Sequence, residues 1–234
     1  MIGVIGGMGP LATADFLSKV IAATPAEYDD QHVPLLISCD ARIPGRPAAI
    51  LDGGESPLPR LRDIRERLIG AGATALVMPC NTAHHWHAAL RADCALPFPS
   101  IIDASCDEAL ARAGPGGRVA VLATRATLAA RLYEPALQAR GLRPLRPSDE
   151  LLDKLILPSI AHVKAGRVAQ AAPMMADAVQ ALRDAGADLV ILACTEAPVA
   201  MAAAAHEVQA ACVDSTLALA RVTVALWRGG ALSA

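Results

Sequence analysis

The sequence predicts an α/β protein of two pseudo-symmetric lobes, each a mainly parallel sheet flanked by helices. Short apolar runs alternate with segments of helical period along all 234 residues, a pattern typical of parallel sheets covered by helices on both faces. A strand ending in a small-residue turn and a later strand ending in a cysteine occur twice. In the first copy, Val4 of the first strand and Cys80 are about 76 residues apart; in the second copy, Val121 and Cys194 are about 73 residues apart. We interpret this order as one duplicated lobe.

The chain begins with an apolar run, residues 1–5, followed by the glycine-rich segment 6–10 and a helical pattern. This order predicts a strand, a tight turn and a helix. Pro10 suits the first helical turn, where its missing N–H costs nothing. Backbone N–H groups in such a turn could hold an anion such as a carboxylate, and the same residues also fit a plain turn without a ligand.

Apolar runs and helical spacing predict the remaining elements of the first half. Strands are expected over 33–39, 73–78 and 98–103, and helices over 58–71, 81–90 and 104–113. The loop after the first of these strands contains Arg42 and Arg46 among prolines and glycine. Arginines there can bind a carboxylate through paired hydrogen bonds, and a solvated loop arginine is the equal alternative.

The second half repeats the alternation. Strands are expected over 118–123, 188–193 and 211–214. Helices are expected from 124, around 151–160, and over 172–185 and 215–227, where Ser215 can cap the last of them. We expect the first lobe to comprise residues 1–97 with 208–234, and the second lobe to comprise residues 98–207.

Composition bounds the functional class. The chain is 54% hydrophobic and 19% charged, with a net charge of −2, so it has ample material for a large core. The sequence has no basic stripe, so we expect no nucleic-acid partner. It has no polybasic or amphipathic anchor, so we expect no membrane partner. No charged leader precedes the first apolar run, so we expect no secretory signal and a cytoplasmic protein.

The six cysteines are widely spaced and form no C-x-x-C pair, so we expect reduced thiols and neither a disulfide framework nor a structural zinc site. Four are expected to be buried small hydrophobes: Cys39, Cys94, Cys106 and Cys212. Cys80 and Cys194 share a distinctive context. Each ends an apolar run, eight residues after the glycine of a Gly-Ala pair, and each precedes a hydroxyl or amide residue.

A metal cluster is one alternative for Cys80, since His84 and His87 follow it at a spacing that shares a helix face. No second ligand group with matching spacing occurs, so no metal is predicted. His84 and His85 are instead expected at a helix start, near the cleft or the surface.

Two thiols permit a particular chemistry. A cysteine at a strand end beside a helix N-terminus can have a lowered pKa, which makes thiolate available near neutral pH. One such thiol indicates a nucleophile or a single base. Two facing thiols allow one thiolate to remove a proton from a carbon acid while the other thiol donates to the opposite face, which inverts the stereocentre.

Several motifs occur in an order that spans nearly the whole chain. They are Ile5-Gly6-Gly7-Met8-Gly9-Pro10 with Ala12-Thr13, Ile43-Pro44-Gly45-Arg46, Met78-Pro79-Cys80-Asn81-Thr82-Ala83-His84, Thr124 with Thr127, Lys164 before Gly166, and Ala193-Cys194-Thr195-Glu196. With them the chain resembles the aspartate/glutamate racemase family, in particular the aspartate racemase branch that needs no pyridoxal phosphate. The resemblance implies an active site between two lobes, no cofactor and a homodimer.

The resemblance also implies roles for single residues. Cys80 and Cys194 would be the two acid/base residues. The substrate-binding residues would be Asn81, Thr82 and Thr195 at the α-carboxylate, Met8 and Thr124 lining the site, Arg46 and Lys164 at the side-chain carboxylate, and Glu196. Glu196 favours the aspartate branch, because the glutamate branch typically has histidine there. The loop Pro44-Gly45-Arg46-Pro47 differs from the usual Pro-Asp-Arg-Thr, which bears on aspartate specificity and not on the thiols.

Other functions stay open at this point. Maleate isomerase, in the same superfamily, uses one cysteine as a covalent nucleophile, and arylmalonate decarboxylase uses a single catalytic thiol. A non-catalytic amino-acid-binding protein on the same scaffold is a third class, in which the thiols would be incidental. The two matched cysteines, together with Arg46 and Lys164 for a dicarboxylate, favour a racemase acting on aspartate, with glutamate as the other candidate substrate.

Overall fold

A computed structural model describes residues 1–202 and 206–229. Its strands are β1 (Ile2–Gly6), β2 (Leu35–Cys39), β3 (Ala75–Val77), β4 (Arg118–Ala123), β5 (Arg143–Leu145), β6 (Leu189–Ala193) and β7 (Cys212–Asp214). Its α-helices are α1 (Pro10–Ala23), α2 (Arg46–Leu51), α3 (Leu58–Gly70), α4 (His87–Arg91), α5 (Ile101–Ala113), α6 (Arg125–Ala129), α7 (Glu134–Ala139), α8 (Asp149–Leu151), α9 (Leu157–Lys164), α10 (Val168–Asp184), α11 (Glu196–Met201), α12 (His206–Ala210) and α13 (Ser215–Trp227). Short 3₁₀-helices cover Asp29–Gln31 and Thr82–Trp86, and a π-helical turn covers Leu152–Ile156.

The chain divides into two compact units. The first comprises Met1–Ala104 and Thr216–Ala234, and the second comprises Ser105–Ser215. Within the described residues, no helix combines the length and the apolar character that a membrane span requires. The lobe boundaries expected from the sequence, after residues 97 and 207, stay a prediction.

The first unit contains a three-stranded parallel sheet in the order β2-β1-β3. Ile2 pairs with Leu35 on one side and with Ala75 on the other. Strand β1 is buried along its whole length, as expected for a central parallel strand covered on both faces. Because all three strands run in one direction, the segments that follow Gly6, Cys39 and Val77 all leave from the same edge of the sheet.

The second unit contains a four-stranded parallel sheet in the order β5-β4-β6-β7. Strand β6 is fully buried, and Val119 of β4 pairs with Leu189 of β6. In both sheets the first strand lies between the second and the third. The first three strands of the two sheets therefore share a topology. Cys80 follows β3 and Cys194 follows β6, each the third strand of its sheet in sequence order.

The structure confirms the alternation of parallel strands and helices, including the predicted bounds of β4 and α13. The strand predicted over 98–103 is wrong, because α5 begins at Ile101. Ser100 Oγ accepts hydrogen bonds from the backbone N–H groups of Ile102 and Asp103, so a helix cap stands in the middle of the apolar run. Strand β5 was not predicted. It contains Pro144 and lies at a sheet edge, where a missing donor is tolerated.

Candidate active site

Cys80 lies three residues beyond the end of β3 in the first unit, and only 4% of it is exposed. The backbone turns sharply there, because Cys80 N–H donates to the carbonyl oxygen of Met78 at 2.8 Å. Cys80 belongs to an apolar cluster that also contains Met8 and Ile43. The first unit thus brings together the thiol and the methionine that the sequence assigned to one site.

Asn81 and Thr82 follow Cys80 directly, and both are buried. They lead into the 3₁₀-helix Thr82–Trp86, whereas the sequence predicted a continuous α-helix over 81–90. The carbonyl oxygen of Asn81 accepts from His84 N–H at 3.0 Å, which closes the turn. An amide and a hydroxyl beside a buried thiol are groups that can donate to a carboxylate.

Arg46 opens α2, a helix that contacts the 3₁₀-helix after Cys80. Its Nη1 donates to the carbonyl oxygens of Ile43 and Pro44, each at 3.2 Å. Its Nε is buried and has no hydrogen-bond partner among residues 1–202 and 206–229. Because a buried donor without an acceptor costs free energy, Arg46 is suited to an acceptor such as a carboxylate.

Arg42, the other loop arginine, already has a partner and is 80% exposed. Its Nε donates to Asp40 at 3.0 Å, and Nε of Arg60 in α3 donates to the same carboxylate at 2.9 Å. These hydrogen bonds, that of Arg42 foremost, hold the pKa of Asp40 well below its usual range. Of the two arginines, Arg46 is therefore the one suited to bind an acidic ligand.

The glycine turn between β1 and α1 makes hydrogen bonds within itself. Gly7 N–H donates to Thr13 Oγ1 at 2.9 Å, and Thr13 Oγ1 donates to the carbonyl oxygen of Gly9 at 3.0 Å. For this amide the plain turn is the correct interpretation, because its hydrogen goes to Thr13. Pro10 begins α1, as predicted.

Cys194 occupies the corresponding place in the second unit, directly after β6, and 5% of it is exposed. Thr195 and Glu196 follow it and are also buried. The thiol of Cys194 donates to Oε2 of Glu196 at 3.0 Å. The other carboxylate oxygen of Glu196 is buried and has no hydrogen-bond partner in the described part of the chain.

The electrostatic setting of Cys194 opposes ionisation. Burial raises the pKa of its thiol well above the ordinary value, and the carboxylate of Glu196 raises it further, while the positive charge of Lys164 lowers it. Lys164 ends α9, which contacts the helix that Glu196 begins. The lowered pKa that a cysteine beside a helix N-terminus can have is therefore not found for Cys194, because burial and a neighbouring carboxylate outweigh the lysine.

Replacing Glu196 by glutamine tests this balance. Glu196→Gln keeps the shape of the side chain but removes its charge, so the pKa of Cys194 is expected to fall. Lys164→Gln removes the opposing charge and should raise it. The measurement is the pH dependence of the alkylation rate of Cys194, followed by mass mapping of its peptide. A midpoint that moves to higher pH in Glu196→Gln would contradict the assignment.

Thr124 stands where β4 ends and caps α6. Its Oγ1 accepts from Thr127 N–H at 3.2 Å and lies 3.0 Å from Thr127 Oγ1. Ala123, just before it, pairs with Ala193, just before Cys194. Thr124 and Cys194 therefore leave neighbouring strands at the same level, which brings these two predicted site residues together.

The four cysteines expected to be buried hydrophobes divide between core and surface. Cys106 and Cys212 are buried, Cys94 is half-buried and Cys39 is exposed. The expectation is thus wrong for Cys39, which ends the edge strand β2. All six cysteines are free in this structure.

Sequence reasoning missed two features of the site. One is the hydrogen bond from Cys194 to Glu196, for which the only signal was the carboxylate two residues further on. The other is the burial of His84 and His87, whereas the sequence placed His84 and His85 only near the cleft or the surface; His85 is exposed. In residues 1–202 and 206–229, no group of three or more His, Cys, Asp or Glu side chains is arranged to hold a metal ion.

The chain is thus an α/β protein of two units, with a buried cysteine at the carboxyl edge of the parallel sheet in each unit. The sequence profile of the family described as Asp/Glu/Hydantoin racemase matches residues 5–223. The chain therefore belongs to this family. The match confirms the resemblance identified from the motifs, and it supports an amino-acid racemase as the class of enzyme.

Individual relatives agree with the family. The chain is 24% identical over 232 residues to the broad specificity amino-acid racemase RacX of Bacillus subtilis (strain 168), covering 97% of this chain and 98% of RacX. The solved structure of Picrophilus torridus aspartate racemase is similar, with a TM-score of 0.85 and 29% identity over 99% of this chain and 95% of that one. Glutamate racemase from Francisella tularensis, at 19% identity and a TM-score of 0.69 over 97% and 81% of the two chains, shares the fold.

Proposed function

We propose that this chain is a racemase that interconverts L- and D-aspartate without pyridoxal phosphate, with glutamate as its second substrate. The observation that carries the proposal is the equivalent placement of Cys80 and Cys194. Each is a buried thiol just beyond the strand in the third place of its own parallel sheet. A binding protein needs no such pair, whereas inversion of a carbon centre needs similar groups for its two faces. Similarity to the Picrophilus torridus aspartate racemase supports the choice of aspartate.

The proposed mechanism uses both thiols in turn. One cysteine, as thiolate, takes the α-proton, so that an S–H bond forms as the Cα–H bond breaks. The electron pair left on Cα then takes a proton from the other cysteine on the opposite face, which becomes thiolate. The product is the other enantiomer, and the two cysteines have exchanged protonation states.

The remaining residues hold the substrate. We assign Asn81, Thr82 and Thr195 to the α-carboxylate, Arg46 and Lys164 to the side-chain carboxylate, and Met8 and Thr124 to the walls. The unpartnered Nε of Arg46 supports its assignment. A buried carboxylate repels acidic groups and attracts an ammonium, so we assign Glu196 to the α-ammonium group.

Proton NMR in heavy water tests the function. The protein, reduced and without added pyridoxal phosphate, is incubated separately with L- and D-aspartate and with L- and D-glutamate. We expect loss of the α-proton signal and appearance of the opposite enantiomer, faster for aspartate. Absence of exchange with all four, in protein shown to be folded, would overturn the proposal. A covalent adduct with maleate, seen by mass spectrometry, would favour an isomerase instead.

Arg46→Gln tests whether Arg46 binds the side-chain carboxylate of aspartate. Loss of a charged hydrogen-bond donor costs about 1.5–3 kcal/mol, so KM for aspartate is expected to rise about 10- to 100-fold, with kcat much less affected. Arg42→Gln is the matched control from the same loop, and its KM should stay unchanged because Arg42 is exposed and paired with Asp40. Equal KM values for the two variants would contradict the assignment.

Two further proposals rest on the family. We propose a homodimer, which light scattering coupled to size-exclusion chromatography tests through the mass in solution. We also propose the cytoplasm as the location, which cell fractionation tests. A mass of one chain, about 24.1 kDa, would contradict the first.

A further inference from the structure

His84 is a buried histidine four residues after Cys80 that the proposed mechanism does not use. Its Nδ1 lies 2.8 Å from the backbone carbonyl oxygen of Cys80 itself. Its Nε2 lies 3.1 Å from the backbone nitrogen of Ile101. The imidazole therefore bridges the main chain of the candidate catalytic residue and the first residue of α5, 21 positions further along the chain.

These two contacts define the tautomer of His84. A backbone N–H only donates, so Nε2 accepts from Ile101 and carries no proton. Nδ1 then carries the ring proton and donates it to the carbonyl oxygen of Cys80. Burial lowers the pKa of His84 to about 3. The ring is thus neutral at any working pH and is not a proton carrier for the reaction.

The hydrogen bond from Ile101 to His84 lies at the capped N-terminus of α5. Ser100 Oγ accepts from Ile102 N–H at 3.1 Å and from Asp103 N–H at 3.2 Å, so the first turn of α5 is capped. His84 accepts the remaining N–H, that of Ile101. The hydrogen bond from the first residue of α5 restrains the plane of the imidazole.

A second histidine, His87, packs against the face of the His84 ring. His87 stacks on His84 with ring centroids 4.8 Å apart. Its own Nε2 lies 3.0 Å from the carbonyl oxygen of Phe98, to which it donates, and its ring meets Phe98 edge-on at 4.7 Å. Two histidines therefore join the segment after Cys80 to residues 98–101, both through backbone groups.

We propose that His84 is a positioning residue for Cys80, acting through its hydrogen bond to the Cys80 carbonyl oxygen. The inference rests on the proposed function, in which Cys80 transfers a proton. The direction of the Cα–Cβ bond follows the orientation of the flanking peptide groups, so a held carbonyl fixes the point from which the thiol reaches the substrate. A displacement of about 1 Å at a reacting group costs on the order of 100-fold in rate, which makes such a restraint valuable.

The test separates the two hydrogen bonds of the ring. In His84→Asn the amide nitrogen takes the place of Nδ1 and keeps the bond to Cys80. In His84→Gln the amide oxygen takes the place of Nε2 and keeps only the bond to Ile101. We expect kcat for aspartate to fall about 10- to 100-fold in His84→Gln and only a few-fold in His84→Asn, with KM little changed in both. His85→Gln, a neighbouring exposed position, is the control with unchanged kcat.

A second readout needs no turnover. The alkylation rate of Cys80, followed by mass mapping of its peptide, should change several-fold in His84→Gln and stay near the wild-type rate in His84→Asn. Thermal unfolding is measured alongside, because each variant loses one buried hydrogen bond. Equal losses of kcat and equal changes of alkylation in the two variants would overturn the positioning role. Lack of turnover in the wild type would overturn the proposed function while leaving the alkylation comparison decisive for His84.

Discussion

Cys80→Ala and Cys194→Ala should each lower the rate of racemisation by about 1,000-fold or more, within the range known for loss of a general acid or base. Each thiol serves one face of the α-carbon in the proposed mechanism, so either substitution removes proton transfer on that face. The remaining thiol can still remove and return a proton on its own face. We therefore expect slow α-proton exchange with one enantiomer, without inversion, and opposite enantiomers for the two variants.

The measurement combines circular dichroism of the substrate, which reports inversion, with proton NMR in heavy water, which reports exchange. Cys39→Ala is the matched control. Cys39 also ends a strand of the first sheet, but it is exposed and has no assigned role. Its activity should equal that of the wild type. Racemisation within tenfold of wild type in either Cys80→Ala or Cys194→Ala, with the variant folded, would exclude a two-base mechanism.

Gly7→Ala is expected to have the largest effect on stability, about 3 kcal/mol or more. Gly7 has a φ of +94°, where side chains are disfavoured. A Cβ there would also lie 2.5 Å from the backbone nitrogen of Asp40. Backbone cannot move aside as a flexible side chain can, so the segment between β1 and α1 must separate from the loop after β2. Since Met8 lies on the first segment and Arg46 begins α2 directly after that loop, activity should fall as well.

Gly53→Ala isolates the conformational part of this cost. Gly53 also has a positive φ, +66°, but a Cβ there meets no atom within 4 Å. The expected loss is about 1–2 kcal/mol, the cost of a side chain in the left-handed region. Urea unfolding monitored by circular dichroism measures both variants. If Gly7→Ala lost no more stability than Gly53→Ala, the close approach of Gly7 to Asp40 would not constrain the fold.

The regular elements were largely predictable because burial imposes a period on the chain. A strand covered on both faces is apolar throughout, which is why β4 was predicted with its observed bounds. Residues that favour turns or helix starts marked where elements begin, as with Pro10 at the start of α1. The errors arose where one side chain changed the outcome: Ser100 caps a helix inside an apolar run, and Pro144 is accepted because β5 is an edge strand.

Within the candidate site, the order of residues along the chain was enough to identify neighbours such as Cys80-Asn81-Thr82. It also predicted that the two cysteines follow corresponding strands of a duplicated lobe, since the order of motifs occurs twice. The hydrogen-bond partners of the polar side chains became known from the folded structure alone. The carboxylate of Asp40 accepts a hydrogen bond from Arg42, and that of Glu196 accepts one from the thiol of Cys194. Nε2 of His84 accepts one from the backbone N–H of Ile101. Such partners depend on distance and direction between side chains, which no periodicity in the chain encodes.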